Sequence, residues 1–430
     1  MQQYDSYKDS GVKWLGEIPS HWEVNKAKYY LYSKKTIVGK DSANHERLAL
    51  TLNGVIKRED GDDIGLNPEK LDTYQIVESG NLIFKLIDLE NFKTSRVGLT
   101  PYNGIVSPAY IRLINKGNVN MRFLEYYYLN MWHRKVFNDL GAPGVRSNLS
   151  ANDLLNLCIV LPNVNEQDAI VSYLDTATAK IDAAIAQQQK MIDLLNERKQ
   201  IIINRAVTKG LNPNAKMKDS GVEWIGEVPE GWEVMPLKYC AKTNSGSTPK
   251  TIAGKDNNNS RIRWVRTTDL NNDIVYDTSE YLSLKEMRSA SCPLLPKDTV
   301  LISMYGGAGS FGKLGILNME ATINQALCSI SCDSIVLPKY MFYYLQSIHS
   351  IWMKFAESTR KDPNLNQQTI RSISVILPSV KEQQNIVDYI ESLNSGLNTA
   401  VSNIYKQISL LQERKQIIIN EVVTGKVKVM

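Results

Sequence analysis

Leu195-Asn196-Glu197-Arg198-Lys199-Gln200-Ile201-Ile202-Ile203-Asn204 returns as Leu411-Gln412-Glu413-Arg414-Lys415-Gln416-Ile417-Ile418-Ile419-Asn420, and this repetition decides the architecture. Each copy closes a longer segment with a shared opening, Leu161-Pro162-Asn163-Val164-Asn165-Glu166-Gln167 in the first and Leu377-Pro378-Ser379-Val380-Lys381-Glu382-Gln383 in the second. Asn163 and Ser379 suit a helix N-cap, and Glu166 and Glu382 stand three residues on, where a capping box places an acid. From there an apolar seam runs by fours and threes. It passes through Ile170, Leu174, Ile181, Met191, Leu195 and Ile202 in one helix, and through Ile386, Ile390, Leu393, Leu397, Ile404, Leu411 and Ile418 in the other. Heptads sustained this long predict two helices paired as an antiparallel coiled coil. Setting Ile170 against Ile418 would put Ala177 opposite Leu411, small against large. At about 1.5 Å per residue, roughly forty residues make a strut on the order of 60 Å long.

Outward from the helices the duplication continues. Lys8-Asp9-Ser10-Gly11-Val12-Lys13-Trp14 returns as Lys218-Asp219-Ser220-Gly221-Val222-Glu223-Trp224, and Pro19, Trp22 and Glu23 return as Pro229, Trp232 and Glu233. The four tryptophans and two prolines read as an aromatic clasp that leads the chain into each globular domain, in preference to stacking on bases. The fillings between clasp and helix differ in sequence but not in kind. Strand-like runs at Leu48–Leu52, Asn81–Leu86, Ile105–Leu113 and Leu157–Leu161 accompany a helical pattern over Arg122–Val136. The second filling offers strands at Ile262–Val265, Thr299–Met304 and Leu327–Cys332 with a helix over Lys339–Lys354. Gly210 suits a left-handed helix terminus and Pro213 stops continuation. The expected fold class is therefore α+β with an internal pseudo-twofold repeat. Residues 1–160 form a first domain with its lead-in, 161–209 a long helix, 210–217 a linker, 218–376 a second domain and 377–425 a second helix.

A chain of 430 residues suits two or more domains. No apolar run is long enough to span a bilayer and the start carries no signal-peptide pattern, so a cytoplasmic location is expected. Cys158, Cys240, Cys292, Cys328 and Cys332 are odd in number and scattered, as reduced thiols are, and no histidine joins them at a metal-ligand spacing. The net charge of +5 is spread thinly: residues 1–160 carry 20 Lys and Arg against 18 Asp and Glu. That balance permits a polyanionic partner without demanding one. No nucleotide cradle is present. Gly306-Gly307-Ala308-Gly309 precedes no helical period and reads as a loop, and the Glu-x-Lys triplets at 197–199 and 413–415 fall inside the helices rather than in a nuclease site. No catalytic constellation and no metal site is expected.

The repeated Gly-Val-x-Trp-x-Gly-x-x-Pro-x-x-Trp-Glu-Val lead-ins, the Leu-Pro-x-x-x-Glu-Gln helix starts and the Glu-Arg-Lys-Gln helix ends, in this order along the whole chain, resemble the specificity subunits of type I restriction-modification systems. The resemblance implies two target recognition domains, each reading one half of a bipartite, asymmetric DNA site. It also implies that the paired helices dock modification subunits, two of them, and that restriction subunits join the complex. Adenosylmethionine, ATP and magnesium would be used by those partners, with no cofactor on this chain. Strut length would then set the gap between half-sites, and a separation of one helical turn, about 34 Å, would let both domains meet one face of a duplex. A coiled-coil scaffold that assembles partners without reading DNA is the alternative.

Base reading needs donors and acceptors on loops that reach a groove. The candidates are Lys57, Arg58, Arg96, Arg146 and Asn148 in the first domain. In the second they are Ser247, Thr248, Lys250, Tyr305, Lys313, Arg360 and Lys361. A solvated surface role fits any single one of them equally well.

Overall fold

The computed structural model describes residues 2–59, 70–87, 89, 95–140, 148–249, 262–305, 310–356 and 364–429. It divides into two compact units, Met1–Gln189 with Tyr405–Met430, and Lys190–Ile404. Both units therefore take a piece of each long helix.

The domain of the first unit contains β1 (Glu23–Lys26), β2 (Leu31–Tyr32), β3 (Leu82–Phe84), β4 (Val97–Leu99), β5 (Ile111–Asn115), helix α1 (Met121–His133) and β6 (Cys158–Leu161). A sheet forms in the order β2-β5-β3-β4, and β1 pairs antiparallel with β6 so that Val24 faces Val160. Strand β3 is an unbroken apolar run, Leu82-Ile83-Phe84, because both of its faces are buried. Helix α1 starts where the Asn120 side chain accepts from the amides of Arg122 and Phe123. It buries Phe123, Tyr127, Tyr128 and Trp132 against the sheet and against Trp22. The expected strand over Ile105–Leu113 is two, Gly104–Val106 and Ile111–Asn115.

Helix α2 (Val164–Lys209) follows. The second unit then supplies β7 (Glu233–Pro236), β8 (Ala241–Ser245), β9 (Asp273–Val275), β10 (Val300–Ser303), β11 (Leu314–Leu317), β12 (Leu327–Cys332), helix α3 (Pro338–Ser347) and β13 (Ser374–Leu377), and helix α4 (Val380–Val423) starts in it and ends in the first unit. Its sheet runs β8-β12-β10-β11-β9, and β7 pairs with β13 as β1 does with β6. The first four positions repeat β2-β5-β3-β4, so the two fillings share one topology. Burial pushes the Cys240 thiol up to about 11, and those of Cys328 and Cys332 up to about 12, so these thiols stay protonated.

Within each unit α2 and α4 run antiparallel. In the first, Lys415 bonds both carboxylate oxygens of Asp182 at 2.7 Å, and Ile170 and Leu174 share a core with Ile419, Val422 and Val423. In the second, Lys199 reaches Asn398 at 3.3 Å, and Ile203, Ala206 and Val207 share a core with Ile386, Val387 and Ile390. The register expected from Ile170 against Ile418 is corrected, since it would set Lys406 opposite Asp182 and Tyr389 opposite Lys199. Each helix end is fixed by the domain core it enters, and that constraint outweighs small-against-large matching along the seam.

The seam is corrected as well. Met191 is exposed and Ile192 buried, while Ile203 and Ile419 lie deeper than Ile202 and Ile418. Leu195, Leu393, Leu397, Ile404 and Leu411 are half-buried, and Ile170, Leu174, Ile181, Ile386 and Ile390 are fully so. From Ile170 to Ile203, and again from Ile386 to Ile419, the inward positions advance by about 3.7 residues per step, nearer the eleven-residue than the seven-residue frame. An unstrained helix needs little winding to keep such a seam facing its partner.

The start of each helix is also the clasp. Asn163 Oδ1 accepts from the Glu166 amide at 3.0 Å and Ser379 Oγ from the Glu382 amide at 3.3 Å. The acids themselves turn into the domain instead of closing a capping box. Glu166, almost wholly buried, accepts from the Tyr4 hydroxyl at 2.7 Å and from Trp22 Nε1 at 3.0 Å, with His21 Nε2 at 2.9 Å from its other oxygen. Burial first, and the Glu166 carboxylate next, hold the Tyr4 phenol well above its ordinary value, so it remains a donor. Glu382 accepts from Trp232 Nε1 at 3.0 Å. Removing a buried acceptor strands its donors at about 1–3 kcal/mol each. Glu166→Ala is expected to lower the stability of its unit by several kcal/mol, and Glu382→Ala by about half as much. Urea denaturation followed by tryptophan fluorescence measures both, and equal losses would contradict the assignment.

Candidate nucleic-acid interface

Strand register gathers polar loops at one end of the second sheet. Ser245 of β8 faces Cys328 of β12, Ser303 of β10 faces Leu327 of β12, and Ile302 faces Leu314 of β11. The segments leaving that end are Gly246–Thr248, Asn324–Ala326, Met304–Tyr305 and the approach to Leu314. Four candidates, Ser247, Thr248, Tyr305 and Lys313, are thereby brought together. The amide of Ser247 donates to the Ile323 carbonyl at 3.0 Å and its carbonyl accepts from Trp264 Nε1 at 3.2 Å. The Thr248 hydroxyl donates to Gln325 Oε1. Met304 donates its amide to the Ala326 carbonyl at 2.9 Å, and Ser303 donates to the Lys313 carbonyl at 2.8 Å. Burial raises the Tyr305 phenol, which keeps it a proton donor.

Gly246 is what permits this approach. A Cβ there would lie 2.1 Å from the Ile323 carbonyl oxygen and 2.3 Å from that of Asn324, both backbone atoms that cannot swing aside. Gln325, which sequence reading passed over, is the loop's side-chain partner. A glutamine between two short apolar strands carries no signal until the strands are paired.

The corresponding end of the first sheet holds fewer described candidates. The Lys85 amide donates to the Arg96 carbonyl at 3.0 Å, and the Leu149 amide to the Leu86 carbonyl at 3.2 Å. That places exposed Asn148 and strand β4 at the same end. The expectation for Arg96 is corrected: its side chain is fully buried and Nη1 donates to the Ile87 carbonyl at 3.2 Å, so it presents nothing to a groove. Lys57 and Arg58 lie on a separate hairpin, Leu48–Thr51 with Gly54–Lys57. Lys57 pairs with Glu46 at 2.6 Å and sits 5.1 Å from the Tyr102 ring, while the Arg58 amide bonds the Arg47 carbonyl at 2.8 Å. Arg146, Lys250, Arg360 and Lys361 lie outside the described residues.

Among the described residues no three His, Cys, Asp or Glu side chains group as a metal site, and no helix is long and apolar enough to cross a membrane. Two copies of one domain, each closing the same sheet end with polar loops of different sequence, define a protein of two recognition domains on a repeated frame. The family model described as "Type I restriction modification DNA specificity domain" matches residues 22–192 and 229–410. The putative type I restriction enzyme MjaX specificity subunit of Methanocaldococcus jannaschii is 22% identical, covering 98% of this chain and 98% of its own. The MjaVIII specificity subunit of the same organism is also 22% identical, covering 98% of this chain and 97% of its own. A chain from a structure of the type I R-M system, solved for its complex assembly and conformational transition, matches with a TM-score of 0.67 at 13% identity, over 95% of this chain and 99% of that one. This last likeness concerns the fold. The chain belongs to the family of type I restriction-modification specificity subunits.

Arg96→Met is expected to cost the first unit about 2–4 kcal/mol, by leaving buried carbonyls without their donor, and to leave the DNA sequence recognised unchanged. Thermal melting and methylation mapping of the same variant separate the two effects, and a changed motif with an unchanged melt would restore Arg96 as a reader.

Proposed function

We propose that this chain reads a bipartite, asymmetric site in double-stranded DNA, one half by each domain, and directs adenine methylation and restriction by partner subunits without catalysing either. The observation that carries the reading is the repeated frame with unlike ends. Topology, clasp and helices are duplicated, while the loops closing the two sheets are not. Gly246-Ser247-Thr248 with Gln325 has no sequence counterpart at the matching end of the first sheet. Two unlike readers on matched supports suit two unlike half-sites.

Partner docking is supported by residues that the fold leaves unexplained. Leu194 and Ile201 on α2, and their repeats Leu410 and Ile417 on α4, are all exposed, and Glu197-Arg198 and Glu413-Arg414 beside them are identical and exposed. Identical exposed apolar positions in both copies suit two copies of one partner, the modification subunit. By contrast, the buried repeats Ile203 and Ile419 are explained by domain cores.

The deciding experiment is genome-wide mapping of adenine methylation in cells carrying this chain with its modification subunit, and in cells lacking only this chain. A single split motif that appears with the chain is expected. No change, with a competent modification subunit present, would move the reading to the scaffold. Leu194→Asp with Ile201→Asp is expected to reduce the complex from two modification subunits to one, read by native mass spectrometry. Retention of both would remove these residues from the contact.

A further inference from the structure

The two domains differ where they would read different bases, so an exposed feature kept in both must serve something independent of sequence. One such feature has no structural explanation. Tyr29 is 65% exposed and its repeat Tyr239 is 64% exposed, each next to an exposed lysine whose ammonium lies 6.0 Å (Lys28) or 4.9 Å (Lys238) from the ring centroid. Neither ring packs on a core.

Each pair opens an acid-free stretch. No Asp or Glu occurs between Glu23 and Asp41, where Lys26, Lys28, Lys34, Lys35 and Lys40 fall, nor between Glu233 and Asp256, where Lys238, Lys242, Lys250 and Lys255 fall. In the described part these stretches build the edge strands β2 and β8. Lys26, Lys28, Tyr32, Ser33, Lys34 and Lys35 are exposed in the first, and Lys238, Lys242, Asn244 and Ser245 in the second. Both edges lead to the polar sheet end: β8 runs directly into Gly246–Thr248, and Lys35 Nζ donates to the Pro108 carbonyl at 2.9 Å, just before β5. Nearby acids differ between the copies. Lys116 donates its amide to the Tyr30 carbonyl, where Asp333 does so to that of Cys240, which makes the first edge the more basic.

Lysines alone could protect an edge strand from pairing with another chain. Exposed tyrosines at the same place would work against that protection, whereas a phenol and an ammonium side by side both suit a phosphate oxygen. Resting on the DNA-recognition reading above, we propose that the edges β2 and β8, with Lys28–Tyr29 and Lys238–Tyr239, hold the phosphate backbone of the duplex and guide it onto the reading loops without selecting bases.

Counterion release makes this measurable, because each phosphate contact contributes about 0.9 to the slope of log affinity against log salt. The full chain assembled with its modification subunits is titrated with a duplex carrying its mapped motif and with an unrelated duplex. For Lys28→Ala with Lys34→Ala the slope is expected to become shallower by about 2 on both duplexes, with the methylated motif unchanged. Lys238→Ala with Lys242→Ala should have a smaller effect of the same kind, owing to Asp333. Lys8→Ala with Lys13→Ala, on exposed lysines away from the edge, should leave the slope unchanged, and melting temperatures confirm folding. An unchanged slope would overturn the proposal. So would loss of modification subunits with DNA binding intact, which assigns the edge to a protein partner, and so would an altered motif, which makes these residues readers. A parent complex that prefers no motif would instead fail the recognition reading on which the proposal rests.

Discussion

A carboxylate at the first turn of a long helix, accepting a hydrogen bond from an indole, is the constraint on which each unit depends. Glu166 and Glu382 lie where the helix leaves its domain, Trp22 and Trp232 lie where the lead-in enters it, and the bond between them is a charged acceptor meeting a buried donor. The end of the opposite helix closes over the same indole. Gly425 approaches Pro19 and Trp22, and Gly210 approaches Trp232 and Glu382, at φ values of 73° and 74°. Three separate pieces of chain thus meet at one hydrogen-bonded ring. Helix register follows from that meeting rather than from the seam.

This ordering of causes explains what the sequence disclosed. The repeat, the helix starts and some of the strands, β3, β10 and β12 among them, were legible, because each rests on local chemistry: an N-cap, a buried apolar run, a proline after a helix. The edge strands β2 and β8 and the strands β4, β9 and β11 were not. The seam frame was not, because Ile201-Ile202-Ile203 offers an isoleucine to every face and only the domain core selects Ile203. Arg96 misled for a related reason. An arginine just ahead of a strand reads as surface until backbone carbonyls are found around its guanidinium. Gln325 became visible only when β12 and β8 were paired and its side chain met Thr248. In each case the missing information was long-range.

The division between repeated and unrepeated residues also sorts the surface by task. Repeats that are buried, such as Ile203 and Ile419, hold the frame. Repeats that are exposed, such as Tyr29 and Tyr239 or Leu194 and Leu410, are the positions proposed above to meet something outside the chain that is the same for both halves. Unrepeated polar loops at the sheet ends carry what differs. A side chain's class follows from two observations, its burial and whether its copy agrees.

The composition of the first unit has a consequence for synthesis. Its core includes Ile419, Val422 and Val423, yet the whole segment 190–404 of the second unit is made before them. At about 5–20 residues per second that is a delay on the order of tens of seconds, during which Trp22, Ile170 and Leu174 have no partner helix to cover them. The first domain on the ribosome is therefore the last to close. A chain cut short after the linker but before Ile386 would leave both units uncovered at once, exposing apolar surface of the kind that chaperones and proteases recognise.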